Sequence, residues 1–154
     1  MRDLRDKIVL VTGGTRGIGR EIARVLAGLG SKVALTGTRS DQAEAVAAEL
    51  AAETGSEVMG LGVDVSLESS VDPAMEQVAG RWGRLDVLVN NAGITKDNLL
   101  VRMTSDEWSR VLQVNLQGVF NTTRRAVRTM MRQRSGSIVN ISSVVGLTGN
   151  PGQS

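Results

Sequence analysis

The chain has 154 residues with no cysteine, histidine or tyrosine, and its 18 basic and 16 acidic residues leave a formal net charge of +2. Without cysteine or histidine it excludes disulfides, thiolate chemistry and the commonest metal ligand and general base, and near-balanced charge excludes a broad nucleic-acid footprint. A hydrophobic content of 41% supports one globular domain, and the charged start Met1-Arg2-Asp3-Leu4-Arg5-Asp6-Lys7 lacks a signal-peptide core, which with no membrane-length apolar run reads as cytoplasmic.

Ile8–Val11 is a β-branched and aliphatic run suited to a parallel strand buried on both faces. It breaks into Thr12-Gly13-Gly14-Thr15-Arg16-Gly17-Ile18-Gly19, beyond which Ile22, Val25, Leu26 and Leu29 recur at helical spacing. Gly13, Gly17 and Gly19 allow a sharp turn and a close backbone approach, and the N–H groups and dipole of the new helix favour a pyrophosphate. The spacing G-x-x-x-G-x-G departs from the generic fingerprint G-x-G-x-x-G, but strand, phosphate loop and helix keep their order.

Gly30 stops this helix, and Lys32–Thr36 is the second strand. An NAD-specific fold places an acid about 20 residues past the loop for the ribose 2′-hydroxyl, whereas a 2′-phosphate needs positive charge there. Thr36-Gly37-Thr38-Arg39-Ser40 has no acid, and Arg39 together with Arg16 favours NADP(H); taken alone, Arg39 also suits an ordinary solvated loop. Asp41 reads as a first-turn acid favoured by the next helix dipole.

A helix follows from Ser40 to Thr54, with Ala43, Val46, Ala47 and Leu50 on one stripe, and then a strand from Glu57 to Val63. Asp64 and Val65 lie at the carboxyl end of that strand, where open α/β sheets bind ligands. Asp64 there either holds an adenine amino group or caps the helix beginning near Ser66, and the two are compatible. A third helix spans about Leu67–Trp82 with Pro73 in its early part, and Leu85–Val89 is the fourth strand. The alternation predicts an α/β, Rossmann-like, doubly wound parallel sheet with helices on both faces, the fourth strand beside the first.

Asn90-Asn91-Ala92-Gly93 then places two amides and two small residues at the crevice. Asn91 can fix the loop through neighbouring backbone, leaving Ala92 and Gly93 flat against a cofactor ribose or nicotinamide edge. After a loop from Ile94 to Met103, Ser105 is expected to N-cap a long helix reaching Arg134, with Asp106 and Glu107 in its first turn. Trp108, Val111, Leu112, Asn115 and Val119 form one stripe, which carries Asn115 into the buried face, either structurally or to hold a water. The fifth strand, Ser137–Ile141, delivers Ser142 and Ser143 to the crevice, as partners of a substrate carbonyl or as a serine-rich turn. Residues 147–154 read as loop.

The combination of Thr12-Gly13-Gly14-Thr15-Arg16-Gly17-Ile18-Gly19, Asn90-Asn91-Ala92-Gly93, Asn115 and Ile141-Ser142-Ser143 resembles the short-chain dehydrogenase/reductase family. Ile94–Met103 and Gly146–Asn150 are similar to its bacterial 3-oxoacyl-acyl-carrier-protein reductase branch. The resemblance implies hydride transfer from NADPH to the β-keto group of an acyl thioester, with Ser143 polarising the carbonyl and Asn115 holding a relay water. It also implies a proton-donating tyrosine in Tyr-x-x-x-Lys, which the family places shortly after the point where this sequence ends. The expectation is therefore a single Rossmann domain, truncated before that helix and inactive alone, with the fifth strand left as an uncovered edge. Arg124, Arg125, Arg128, Arg132 and Arg134 offer a basic surface for an acidic carrier protein. Arg134 best matches that role, while a solvated helix face accounts for most of the others, and the complete protein is expected to be a homotetramer built on the long helix. The rival readings are a relative acting on another carbonyl or alcohol, and a nucleotide-binding module without catalysis.

Overall fold

All five strands run parallel in the order β3-β2-β1-β4-β5, and helices cover both faces of the sheet. The computed structural model describes residues 4–153, so Met1, Arg2 and Asp3 of the charged start and Ser154 of the expected closing loop lie outside the described residues. The elements are β1 (Ile8–Val11), α1 (Gly17–Gly28), β2 (Lys32–Gly37), α2 (Ser40–Thr54), β3 (Val58–Gly62), α3 (Glu68–Trp82) and β4 (Val87–Asn90). They continue with a 3₁₀ turn (Leu100–Arg102), α4 (Ser105–Leu112), a π-helical turn (Gln113–Gln117), α5 (Gly118–Gln133), β5 (Ser137–Asn140) and α6 (Val145–Thr148).

The pleat of β1 divides the core in two. Val9 and Val11 join Ala23, Ala27, Ala43 and Leu50 on the α1–α2 face, whereas Leu10 joins Val71, Val78, Ala126 and Met130 on the α3–α5 face. Placing β1 between β2 and β4 opens the crevice at its carboxyl end, where helices leave to opposite faces.

The stripe of α2 is as expected, with Ala43, Val46, Ala47 and Leu50 buried. That of α1 is rotated: Gly19, Ala23 and Ala27 are buried, while Val25 and Leu29 are exposed. Small residues at four-residue spacing let the α1 backbone approach the sheet more closely than the larger side chains would permit.

The long helix differs more. Its N-cap is Thr104, not Ser105: the Thr104 Oγ1 accepts the Glu107 N–H at 3.2 Å, and Glu107 Oε2 accepts the Thr104 N–H at 3.0 Å, completing a capping box. The helix is also interrupted by its π turn, which adds a residue to one turn and shifts the register beyond it. Val114 and Gly118 face the core, whereas Asn115, expected to be buried, is exposed, as are Trp108 and Leu112 ahead of the π turn, because that stripe lines an open cavity and not the core. A Cβ on Gly118 would stand 2.7 Å from Val65 Cγ2, so this close crossing requires glycine.

Two side-chain amides fix the helix along β4. Gln133 accepts the Leu85 N–H at 2.8 Å and donates to the Leu85 carbonyl at 2.9 Å, and Asn115 holds Ile94 in the same two-ended way. Val145–Thr148 forms one helical turn that takes in Leu147 and Thr148 of the expected closing loop, and the Asn98 N–H donates to the Gly152 carbonyl at 2.8 Å. Beyond β5 no strand pairs among the described residues, and Val139 and Ile141 are exposed there.

Candidate functional site

The crevice floor is stitched by Thr12, which follows β1 and is buried. Its N–H donates to the Val89 carbonyl at 3.0 Å, and its Oγ1 accepts the N–H groups of Asn91 and Ala92, both at 3.0 Å. The Asn91 amide returns to the carbonyls of Thr12 at 2.9 Å and Gly13 at 3.0 Å, so Asn91 fixes the loop as its position suggested.

The glycines have distinct tasks. Gly13 has φ +63°, and a Cβ there would meet Ala92 Cα at 2.9 Å; Gly19 has no such torsion, yet its Cβ would lie 2.3 Å from both the Gly13 carbonyl oxygen and Asn91 Nδ2. Gly19 therefore serves contact between helix and loop. Gly17, at φ +55°, would project a Cβ into open space. Arg16, extended at φ −156°, forms no side-chain cap, and no acid occupies the first turn of α1. The helix thus presents N–H groups without a competing side-chain acceptor, beside an arginine with no salt-bridge partner among the described residues.

These groups border a cleft of about 600 Å³. Gly13, Thr15, Arg16, Gly17, Ile18, Gly19, Thr38, Asp64, Val65, Asn91, Ala92 and Gly93 all line it. Thr12 lies beneath as scaffold. Arg39 is not in the lining: its Nε donates to Asp41 Oδ1 at 3.1 Å, a second contact joins Nη2 to Oδ2, and the hydrogen bond from Arg39 holds the Asp41 carboxyl below the usual range. Asp41 thus pairs with Arg39 as well as occupying the first turn of α2.

Asp64 caps its own turn, with Oδ1 accepting the Ser66 N–H at 3.0 Å and the Ser66 hydroxyl at 2.6 Å. Its Oδ2 accepts from Arg110 Nη2 at 3.3 Å. Burial pushes this carboxyl up, but the hydrogen bonds from Ser66 and Arg110 outweigh it and hold the group below its ordinary value. Arg110 and Gln42 also line the cleft. Arg110 has no signature in the sequence, because a charge on the polar side of an amphipathic helix has the same pattern whether it meets solvent or a neighbouring loop.

A second cavity of about 350 Å³ adjoins the cleft, and Ile94 lines both. Asn115 and Ser143 meet there, among Lys96, Met103, Trp108 and Val111. The Ser143 Oγ accepts the Val145 N–H at 3.2 Å, leaving its proton available to a further acceptor. Ser142 instead borders a separate depression with Val144 and Leu147, which Ser143 lines as well. The arrangement puts a hydroxyl donor and an apolar wall beside a cleft suited to an anionic nucleotide.

Of the five arginines, Arg124 pairs with Glu68, and Arg125 with Asp72 at 2.8 Å and Glu76 at 3.3 Å, tying α5 to α3. Arg128, Arg132 and Arg134 have no acidic partner among the described residues, and Arg134 ends α5 in the left-handed conformation at φ 54°. Among the described residues there is no group of three acids suited to a metal ion, and no helix is long and apolar enough to cross a membrane.

Residues 7–154 match the family model of the short chain dehydrogenases. The chain is similar to the 3-oxoacyl-[acyl-carrier-protein] reductase FabG of Aquifex aeolicus, at 50% identity over 150 residues, covering 97% of this chain and 60% of that protein. It is 47% identical over 150 residues to the enzyme of that name from Haemophilus influenzae, again covering 97% and 60%, and 50% identical over 148 residues to that from Staphylococcus aureus, covering 96% and 60%. The chain thus spans about 60% of the length of these relatives. With its sheet order, its glycine loop and a family match across nearly all of its length, this chain belongs to the short-chain dehydrogenase family.

Proposed function

We propose that this chain is the NADP(H)-binding domain, and part of the catalytic site, of a cytoplasmic reductase that acts on 3-oxoacyl thioesters of acyl-carrier protein. The observation that carries the reading is its 45 to 50% identity to reductases of that name over nearly its whole length. The cleft fits the cofactor: the uncapped N-terminus of α1 suits a pyrophosphate, Arg16 suits a 2′-phosphate, and the absence of an acid at the end of β2 leaves no repulsion against one.

In this reading the Gly17–Gly19 N–H groups hold the pyrophosphate. Asp64 and Val65 meet the adenine, Thr38, Arg16 and Arg39 surround the ribose phosphate, and Ala92 and Gly93 back the nicotinamide end. The bound cofactor supplies the hydride. Ser143 donates its hydroxyl proton in a hydrogen bond to the substrate carbonyl oxygen, where charge develops during reduction. Asn115, with its amide engaged by Ile94, sets the shape of the π turn beside the reacting centre, where a relay water would sit. No tyrosine occurs in these 154 residues, so none of them supplies the expected proton donor, and we assign the chain binding without turnover by itself. Arg134 belongs to the surface that meets the acidic carrier, and the complete enzyme is a homotetramer.

The second reading is a nucleotide-binding module without catalysis, which the uncapped glycine loop and its cleft would serve equally well. Calorimetric titration with NADPH and NADH, followed by reduction of an acetoacetyl thioester by any longer parent chain, separates the two. NADPH bound at least about tenfold more tightly than NADH, with parent turnover that falls steeply in Ser143→Ala, supports the reductase. Tight binding with no turnover by the parent supports the module, and equal affinity for both cofactors overturns the NADP assignment.

A further inference from the structure

Resting on the reading of the cleft as a dinucleotide site, we propose that Arg110 is a positioning residue that orients Asp64 toward the exocyclic amino group of the adenine and so sets purine specificity. The guanidinium leaves α4, crosses the mouth of the cleft, and reaches two groups of the β3–α3 turn at once. Its Nη1 donates to Ser66 Oγ at 3.2 Å and its Nη2 to Asp64 Oδ2 at 3.3 Å. Both arginine contacts therefore terminate on the turn that follows β3, and Asp64 and Arg110 both line the cleft.

The hydrogen bonds have a fixed direction. Arginine only donates, so the Ser66 oxygen accepts from Arg110 and must send its own proton elsewhere. It sends it to Asp64 Oδ1 at 2.6 Å, and the same Oδ1 accepts the Ser66 N–H at 3.0 Å. A carboxylate offers about four lone-pair positions. Both positions on Oδ1 are taken and one on Oδ2 is held by Arg110, which leaves a single acceptor position, on Oδ2, at the cleft. An acceptor there matches the amino group of adenine and opposes the carbonyl oxygen that stands in its place in hypoxanthine. Removing Arg110 leaves Oδ1 held by Ser66 but unpins Oδ2, so the remaining acceptor position is no longer fixed toward the cleft.

The pairing also joins the two ends of the site. Arg110 lies one helical turn before the π segment that carries Asn115, and Asn115 in turn grips Ile94, which borders both cavities. A structural tie between α4 and the β3–α3 turn alone would leave base preference untouched, and base preference is therefore the readout.

The test measures dissociation constants of NADPH and its hypoxanthine analogue for the protein, Arg110→Ala and Arg110→Lys, with thermal melts to establish folding. The expected result is a preference of wild type for the adenine form that falls about five- to tenfold in Arg110→Ala, mainly through weaker adenine binding, and returns in part in Arg110→Lys. A preference ratio unchanged in folded Arg110→Ala overturns the inference while the dinucleotide reading stands. If Arg110→Ala does not fold, the Arg110→Lys ratio decides: a point charge without the fork should lower it, and a ratio equal to wild type overturns the inference. Wild-type protein that binds neither dinucleotide overturns the dinucleotide reading and this inference together.

Discussion

Asn115 holds both backbone groups of Ile94: its Oδ1 accepts the Ile94 N–H at 2.8 Å and its Nδ2 donates to the Ile94 carbonyl at 2.9 Å. An exposed asparagine on the helix thereby fixes the segment that leaves β4 and borders both cavities. Asn115→Ala should lower unfolding free energy by about 1–2 kcal/mol, the net worth of two such bonds, and speed exchange of the Ile94 amide proton. Asn115→Asp retains the acceptor and should keep that proton protected. Amide exchange followed by NMR distinguishes the variants, and unchanged exchange at Ile94 in Asn115→Ala would show that the clamp does not hold in solution.

The glycine loop predicts an order of costs. Gly19→Ala places a methyl 2.3 Å from the Gly13 carbonyl oxygen, so backbone must move, and we expect a loss of about 2–3 kcal/mol together with loss of nucleotide binding. Gly17→Ala meets no atom and bears only its positive φ, about 1–2 kcal/mol. Denaturant unfolding of both variants reads the order, and a Gly17 variant as unstable as the Gly19 variant would contradict it.

Arg16 and Arg39 should contribute unequally to NADPH affinity. Arg16 lines the cleft without a carboxylate partner among the described residues, whereas Arg39 is engaged by Asp41 and must exchange that pairing for a phosphate. Arg16→Ala should weaken NADPH by about tenfold and NADH little; Arg39→Ala should cost less. Asp41→Asn releases Arg39 and should tighten NADPH, most visibly at low salt. Calorimetry on the three variants tests the ranking, which fails if Arg39→Ala is the costlier arginine substitution.

Acid should weaken the fold through Glu57. The hydrogen bond from Lys32 and then that from Trp82 pull its carboxyl down to about 2 from an ordinary 4.5. Because the folded value lies below the unfolded one, this stabilisation is present above about pH 4.5 and is lost as pH falls toward about 2. Glu57→Gln should therefore show a melting temperature less dependent on pH across that window than wild type. Parallel melting curves with identical pH slopes would remove Glu57 from the account.

The strands could be read from the sequence because each is a short run rich in apolar residues closed by glycine or a polar turn, and the alternation with helices placed the fourth beside the first. The lining of the cleft was equally legible, since loop glycines, Asp64 and the Asn91–Gly93 turn all sit at strand ends, where topology alone brings them together. The long helix was harder. Spacing rules assume a constant turn, and the π segment at Gln113–Gln117 breaks that assumption without a proline or glycine inside it to announce the change. Val114 and Gly118 meet the core, while Trp108, Val111, Leu112 and Asn115 share one face as their spacing suggests, a face that lines an open cavity. Arg39 with Asp41, and Arg110 with Asp64, are pairings decided by rotamers and by contacts distant in sequence, which one-dimensional charge patterns do not record.

The two amide clamps make the helix and β4 measure one another. From Asn115 to Gln133 the helix rises about 27 Å at 1.5 Å per residue, and the chain from Leu85 to Ile94, strand only over Val87–Asn90, reaches at most about 30 Å at 3.3 Å per residue, so both clamps close only while the two lengths stay matched. A single residue inserted into or deleted from either span would shift one partner by its full rise and turn its side chain away. The two segments are therefore bound to change length together or not at all.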